Sequence, residues 1–518
     1  MRFFIIVILW VLAANAYTQE KSKDFNKSID FANKKMEIGD YYGALKIYNV
    51  LYPSDSLNNE LNFNMGVCNY YLKNYFKAEN HFLKSSSAVS LELFRYKAAL
   101  AHISMKFNKA INYYNAYKLI AGEKEVNNEE INRLIEKTKY AEAAILDKRN
   151  VLIQNVGPTI NTEYQEYVPL ISADETMLLF TSRRPGSTGD LLDPNDMPFE
   201  DIYVSKKENN SWTPPKPLRK GLNTATNDAC VGLSADGQIL FIFKTSDDLI
   251  SGDLYESRMG LIDWEDPIKL GSDINSDYIE SSACITLDDK ILYFSSDRPG
   301  GFGGKDLYKV MRMPNGEWSK AANLGPTINT SHDEDAPFIH SDKKTLFFSS
   351  KGHQNMGGYD VFKTVLENNV WSNPENLKYP INTVQDDIFF VLAASGNVGY
   401  YSSSQDGGYG GQDIYKIIFK DEALQLHVLK AKVNTKDQKN PISAKITLIE
   451  NESKKVQGIY KSNDATGKFI MLVDPDKTYN IIIEAKDFHS YTTELEFNVN
   501  NDKLIEFTLE KKDNKGDQ

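Results

Sequence analysis

The residues whose types and spacing could do chemistry are carboxylates that return at a fixed interval. Glu166, Asp228, Glu280, Glu334 and Asp387 each stand five positions after the asparagine of an Asn-Thr or Asn-Ser pair, at Asn161, Asn223, Asn275, Asn329 and Asn382. A ring of such acids at a channel mouth would bind a cation or a basic peptide. Repetition in every unit favours a structural role instead, with each carboxylate accepting backbone hydrogen bonds from a neighbouring turn. A second set begins the triplets Asp201-Ile202-Tyr203, Asp253-Leu254-Tyr255, Asp306-Leu307-Tyr308, Asp360-Val361-Phe362 and Asp413-Ile414-Tyr415, at spacings of 52, 53, 54 and 53. Two of these aspartates close the loops GGFGGKD and GGYGGQD. A capping role fits them, because no Gly-Lys-Ser follows and the next element is a strand, so the loops lack a phosphate-binding fingerprint.

One unit breaks the symmetry. Ser182 to Asp201 spans nineteen residues, where three other units use ten. The insertion carries Asp190, Asp193, Asp196 and Phe199 beside Met197 and Glu200, a mixture suited to a protein contact or a calcium site, and equally to a tolerated loop.

Other chemistries lack their residues. Cys68, Cys230 and Cys284 are odd in number and scattered, so they read as buried thiols, and the seven histidines have no zinc-ligand spacing. The nearest approach to a nucleophile elbow, Gly232-Leu233-Ser234-Ala235-Asp236, lacks its last glycine. No cofactor and no metal are expected.

The elements that would position the repeated acids follow from their period. Trp212, Trp264, Trp318 and Trp371 trail the first four triplets by eleven or twelve residues. Each unit between 151 and 420 reads as four short strands: an inner strand, an apolar one such as LYFSS, the triplet strand and the tryptophan strand. Four strands at a fixed period make a propeller blade. The fifth unit has no tryptophan strand, while residues 151–157 offer an unpaired one, so the two ends are expected to close the ring and hide a free edge. Five blades are predicted, with six as the alternative. The turns Ser172-Ala173-Asp174 and Ser234-Ala235-Asp236-Gly237 resemble those of the TolB-like, WD-repeat-like propeller family.

Before the propeller, residues 24–148 repeat with a period of about 34. Ala32, Gly66 and Ala98 precede Ala44, Ala78 and Ala110 by twelve residues, and Tyr48, Phe82 and Tyr114 follow four residues later. Small residue and ring share one helical face. The pattern resembles the tetratricopeptide repeat, without that family's tryptophan, and residues 128–148 form a capping helix. The resemblance implies a groove for a partner segment lined by Asn33, Tyr70, Tyr71, Arg95 and His102; a simple helical spacer is the other reading.

Residues 424–511 alternate apolar and polar side chains in about seven runs, as in a small antiparallel β-sandwich. Pro441-Ile442-Ser443-Ala444, Gly467-Lys468-Phe469 and Tyr479-Asn480-Ile481 resemble the carboxypeptidase regulatory-like domain. Residues 512–518 read as a disordered charged tail.

At the start, Arg2, the apolar run from Phe3 to Ala14 and Ala14-Asn15-Ala16 form an export signal over 1–16. The run is too short to span a membrane. The formal charge of -12 disfavours nucleic acid and anionic membranes as partners. Together the three regions resemble envelope proteins associated with type 9 secretion and gliding, here without an outer membrane protein A-type domain. The resemblance implies a non-enzymatic periplasmic, outer-membrane-associated scaffold or adaptor that engages envelope proteins through the helical groove and a propeller face. The alternative is a secreted glycan-binding protein. A propeller glycosidase is the less favoured form of that alternative, because such an enzyme uses a distinct carboxylate for each role, whereas these units are near copies.

Overall fold

The computed structural model describes residues 25–86, 90–125, 128–246, 248–249, 251–405, 407–420, 426–436, 441–497 and 503–512. The expected signal segment lies outside these residues, as does the charged tail beyond Lys512. The chain divides into two compact units, residues 1–142 and 143–518.

The first unit is helical. Helices run through residues 25–37 and then Tyr41–Leu51, Asn59–Tyr71, Tyr75–Lys84, Glu92–Ile103, Phe107–Glu125 and Asn128–Leu146. Side-chain caps start two of them: Asp40 accepts from Gly43 N–H at 2.8 Å and Asn58 from Leu61 N–H at 3.0 Å. The small residues and rings of the repeat are its core, with Ala44, Tyr48, Ala78, Phe82, Ala98, Ala110 and Tyr114 all buried. Gly66 cannot be larger, since a Cβ there would lie 2.4 Å from the Phe82 ring.

The second unit is almost entirely β. Residues 151–419 form five antiparallel sheets among the described residues. The inner strands are Glu166–Ile171, Asp228–Leu233, Ser282–Ile285, Glu334–Ile339 and Asp387–Leu392, each followed by an apolar strand and a triplet strand. This is a propeller. Outer strands are vestigial, two residues each in the first four sheets. In the last sheet Val151–Asn155 pairs with Tyr415–Phe419, so the edge is covered by the strand from the other end of the ring.

The repeated asparagines join sheet to sheet. Asn329 accepts from Leu307 N–H at 2.8 Å and donates to Leu307 C=O at 3.0 Å. Asn275 holds Leu254, Asn382 holds Val361, Asn223 holds Ile202 and Asn161 holds Ile414 in the same way. Each triplet strand is thus clasped by the segment that follows it, and the last by the first. The triplet aspartates cap loops: Asp306 accepts from Phe302 and Gly303 N–H, Asp413 from Tyr409 and Gly410 N–H.

Residues 427–509 fold into a three-stranded and a four-stranded sheet whose side chains share one core around Leu429, Ile446, Tyr479 and Phe507. The expectation of an antiparallel arrangement is corrected at one pair, because His427–Thr435 runs parallel to Ile505–Leu509. This β-unit sits on the propeller face formed by the turns between first and second strands. Leu472, Val428 and Ile470 pack against Ala173, Leu287 and Ala394. Lys430 pairs with Asp174 at 2.7 Å, and Asn463 donates to Met259 C=O at 2.8 Å.

Candidate functional site at the channel mouth

The repeated acids do not line the mouth. All five are 0 % exposed, each receiving a backbone N–H and a hydroxyl from the Thr or Ser four residues earlier. Glu166 also accepts from Ser182 and Arg184, and Glu280 from Ser296 and Arg298, while Lys244 reaches Asp228 at 2.7 Å. A cation-binding ring is therefore corrected to a set of internal staples, because every carboxylate is spent on its own sheet. Glu334 and Asp387 have the hydroxyl donors Ser350 and Ser403, but no lysine or arginine pairs with either among the described residues. Burial pushes Glu334 up to about 7 and Asp387 to about 8, the nearby Asp360 adding to the latter.

The insertion folds on itself. Asp193 is buried, accepts from Asn195 and Met197 N–H and pairs with Arg183 at 3.0 Å. Phe199 is buried too, whereas Asp190 and Asp196 are exposed. The calcium reading is corrected: among the described residues no group of three or more His, Cys, Asp or Glu could hold a metal.

Of the helical residues, Tyr71 is 45 % exposed and stacks on Tyr41 at 4.2 Å. Tyr70 meets the edges of Tyr71 and Tyr96, and Arg95 lies over Tyr96 and binds Glu92. Asn33 accepts from Tyr48 and Asn64. His102 is not on a groove; it is 6 % exposed, bonded to Thr138 and set edge-on to Phe107.

Two further polar groups stand at the start of the inner strands, on the face away from the C-terminal β-unit. In the first sheet Tyr167 hydrogen-bonds Glu200, which lies 3.4 Å from Arg183. Burial holds Glu200 above its ordinary value against the pull of Arg183. At the boundary of the third and fourth sheets Lys305 reaches Asp335 at 2.8 Å and Ser281 at 2.7 Å. Burial opposes ionisation of Asp335, but Lys305 and the hydroxyls of Ser282 and Ser295 outweigh it and hold the carboxyl at about 2. Beside it Lys351 pairs with Asp333 at 2.8 Å and lies 4.4 Å from the Tyr359 ring centre. Sequence reasoning passed over all of these except Glu200. Their signal is non-repetition: the position after each repeated acid reads Tyr167, Ala229, Ser281, Asp335, Ile388.

Three exposed aromatic rings lie on loops at the same end of the sheets. Tyr278, Phe302 and Tyr409 are 46, 49 and 50 % exposed, the last two on glycine-rich loops. Gly410 lets its loop rest on the neighbouring sheet, since a Cβ would come within 1.7 Å of Tyr164 C=O.

No protein-family model and no curated protein matches the chain. Solved structures of similar fold include an α-L-arabinofuranosidase from Lactobacillus brevis, with 12 % identity, 53 % of this chain and 93 % of that one covered and a TM-score of 0.33. An endo-arabinase from Bacteroides thetaiotaomicron has 14 % identity, 51 and 98 % coverage and a TM-score of 0.33. The β-propeller domain of the Trilobed protease from Pyrococcus furiosus has 10 % identity, 65 and 97 % coverage and a TM-score of 0.23. The likeness is one of fold. The recurrence of glycoside hydrolases among these structures corrects the expectation of a non-enzymatic scaffold or adaptor, and with it the placing of the chain outside the enzymes. The near-identical acids are internal, and the carboxylates at the mouth differ from sheet to sheet.

Proposed function

We propose that this protein is an exported, periplasmic glycan-recognising protein whose site is the mouth of a five-bladed propeller, carried between a tetratricopeptide-like helical arm and a carboxypeptidase regulatory-like sandwich. The observation that carries this reading is the coincidence, on one face, of an asymmetric polar mouth with exposed rings at its rim. Sugars are held by hydrogen bonds to planar polar groups and by contact of their apolar faces with aromatic rings, and both are present here. The cations at the mouth are already paired with carboxylates, so the arrangement suits hydroxyl-rich neutral ligands. Among the described residues no helix is long and apolar enough to cross a membrane.

A second reading, hydrolysis of the bound glycan, is favoured by one observation. Glu200 is held above its ordinary value and Asp335 at about 2. Glycoside cleavage uses two carboxyl groups whose surroundings push their proton affinities apart. The test is a glycan array probed with residues 17–518, followed by reducing-end assays on every ligand retained. Retention of a defined glycan class that is lost in Lys305→Ala supports recognition at the mouth. Release of reducing ends that Glu200→Gln abolishes adds hydrolysis. A blank array sinks both.

A further inference from the structure

The C-terminal β-unit meets the propeller in two ways. Part of the contact is apolar, with Leu472, Val428 and Ile470 on Ala173, Leu287 and Ala394. Another part is polar and not filled by side chains. There the turn Lys461-Ser462-Asn463-Asp464-Ala465 of the β-unit forms one wall of a cavity of about 100 Å³. The other wall belongs to the second and third sheets and includes Asp236, Arg258, Glu265 and Asp289. Two hydrogen bonds join the walls, from Asn463 to Met259 C=O at 2.8 Å and from Gln238 to Lys468 C=O at 3.3 Å.

The charges at this junction do not balance. Asp236 is partnered within its own turn, accepting from Ser234 Oγ and Gln238 N–H. Glu256 takes both nearby guanidiniums, Arg258 at 2.6 Å and Arg312 at 3.8 Å. Asp464 pairs with Lys461 at 3.1 Å, and Asp288 with Lys343 at 3.3 Å. Lys290 and Glu265 are exposed. Asp289 is left with charges alone around its carboxyl: Asp236 and Glu256 disfavour its ionisation, while Arg258 and Arg312 favour it. Its φ of 55° lies in the left-handed region that aspartate and asparagine enter more easily than most residues. Burial first, and then Asp236, push Asp289 up to about 7, and burial raises Asp236 as well. The β-unit contributes to that burial, because its turn is the opposite wall of the cavity. Lifting it away would readmit water to both carboxyls.

We propose that this junction is a proton-operated latch, closed while Asp289 carries a proton and loosened when Asp289 and Asp236 are both ionised beneath the β-unit. The direction follows from linkage. A carboxyl that binds its proton more tightly docked than undocked contributes fully below the undocked value of about 4, and that contribution is lost as pH rises through about 7. A single proton changes the docking equilibrium by at most about tenfold per pH unit.

The test is hydrogen exchange read by mass spectrometry on residues 17–518 between pH 6 and pH 9, each rate divided by the intrinsic rate at that pH, in peptides covering 258–265 and 461–468. Two variants accompany the natural protein. Asp289→Asn keeps the shape and the backbone conformation but cannot ionise, and the double variant Glu334→Gln, Asp387→Asn removes the raised carboxyls of the sheets. Protection in both peptides is expected to fall by at least about tenfold across the range in the natural protein and in the double variant, and by less than about threefold in Asp289→Asn. Level protection in the natural protein, an equal fall in Asp289→Asn, or a fall that disappears in the double variant overturns the latch.

Discussion

Glu166, Asp228 and Glu280 are buried with a cation beside them, and Glu334 and Asp387 are buried without one among the described residues. At the place that Arg184 and Arg298 take, donating to the carbonyls of Ile160 and Ile274, the fourth sheet has His353, bonded to Ile328 C=O. The consequences diverge. A carboxyl whose folded pKa is raised binds its proton more tightly folded than unfolded, so its favourable contribution is complete below the unfolded value near 4 and is lost as pH rises through the folded value. For Glu334 and Asp387 that window ends at about 7 and 8. Chemical denaturation across pH 5 to 9 is expected to show stability falling through this range in the natural protein, and a shallower fall in the double variant Glu334→Gln, Asp387→Asn. Glu280→Gln behaves differently, because it strands Arg298 and Ser296. It is expected to cost about 3 kcal/mol at pH 7, measurable by the same denaturation.

At the scale of elements the propeller was legible because its markers touch one another. The asparagine, the triplet and the tryptophan recur together since each asparagine grips the residue after a triplet aspartate, as Asn275 grips Leu254. That interlock predicts a common cost: Asn275→Ala and Asn329→Ala each take the partner from a buried N–H, while the C=O of Leu254 or Leu307 keeps its bond from Leu270 or Leu324 N–H, and each should lose about 1–3 kcal/mol of stability, read from denaturant midpoints. The helical pairs were legible for a similar reason, the fit of Gly66 to Phe82. The site was not legible, because Tyr167, Lys305 and Asp335 occupy positions that vary from unit to unit, and a period is found by discarding what varies. His102 was misplaced because helical spacing gives a face without saying what later packs on it; here Thr138 does. The acids were read as either ring or staple, and only burial separated the two.

For the whole molecule the C-terminal β-unit has a role beyond its own core, since it closes one end of the propeller. Ending the chain at Lys420 would uncover Ala173, Leu287 and Ala394 and is expected to raise binding of an apolar fluorescent dye and to promote association, read by dye fluorescence and light scattering. The mouth and the rings lie on the face opposite the C-terminal β-unit, and the proposed function depends on what that face binds. The measurement that tests it most directly is the affinity of residues 17–518 for its best array glycan, compared with Lys305→Ala at the mouth and Gln238→Ala, whose side chain donates to Lys468 C=O on the opposite face. A loss of thirtyfold or more in Lys305→Ala, with Gln238→Ala within twofold of the natural protein, is the predicted result. Equal affinity in all three would place the glycan elsewhere and contradict the assignment of the mouth.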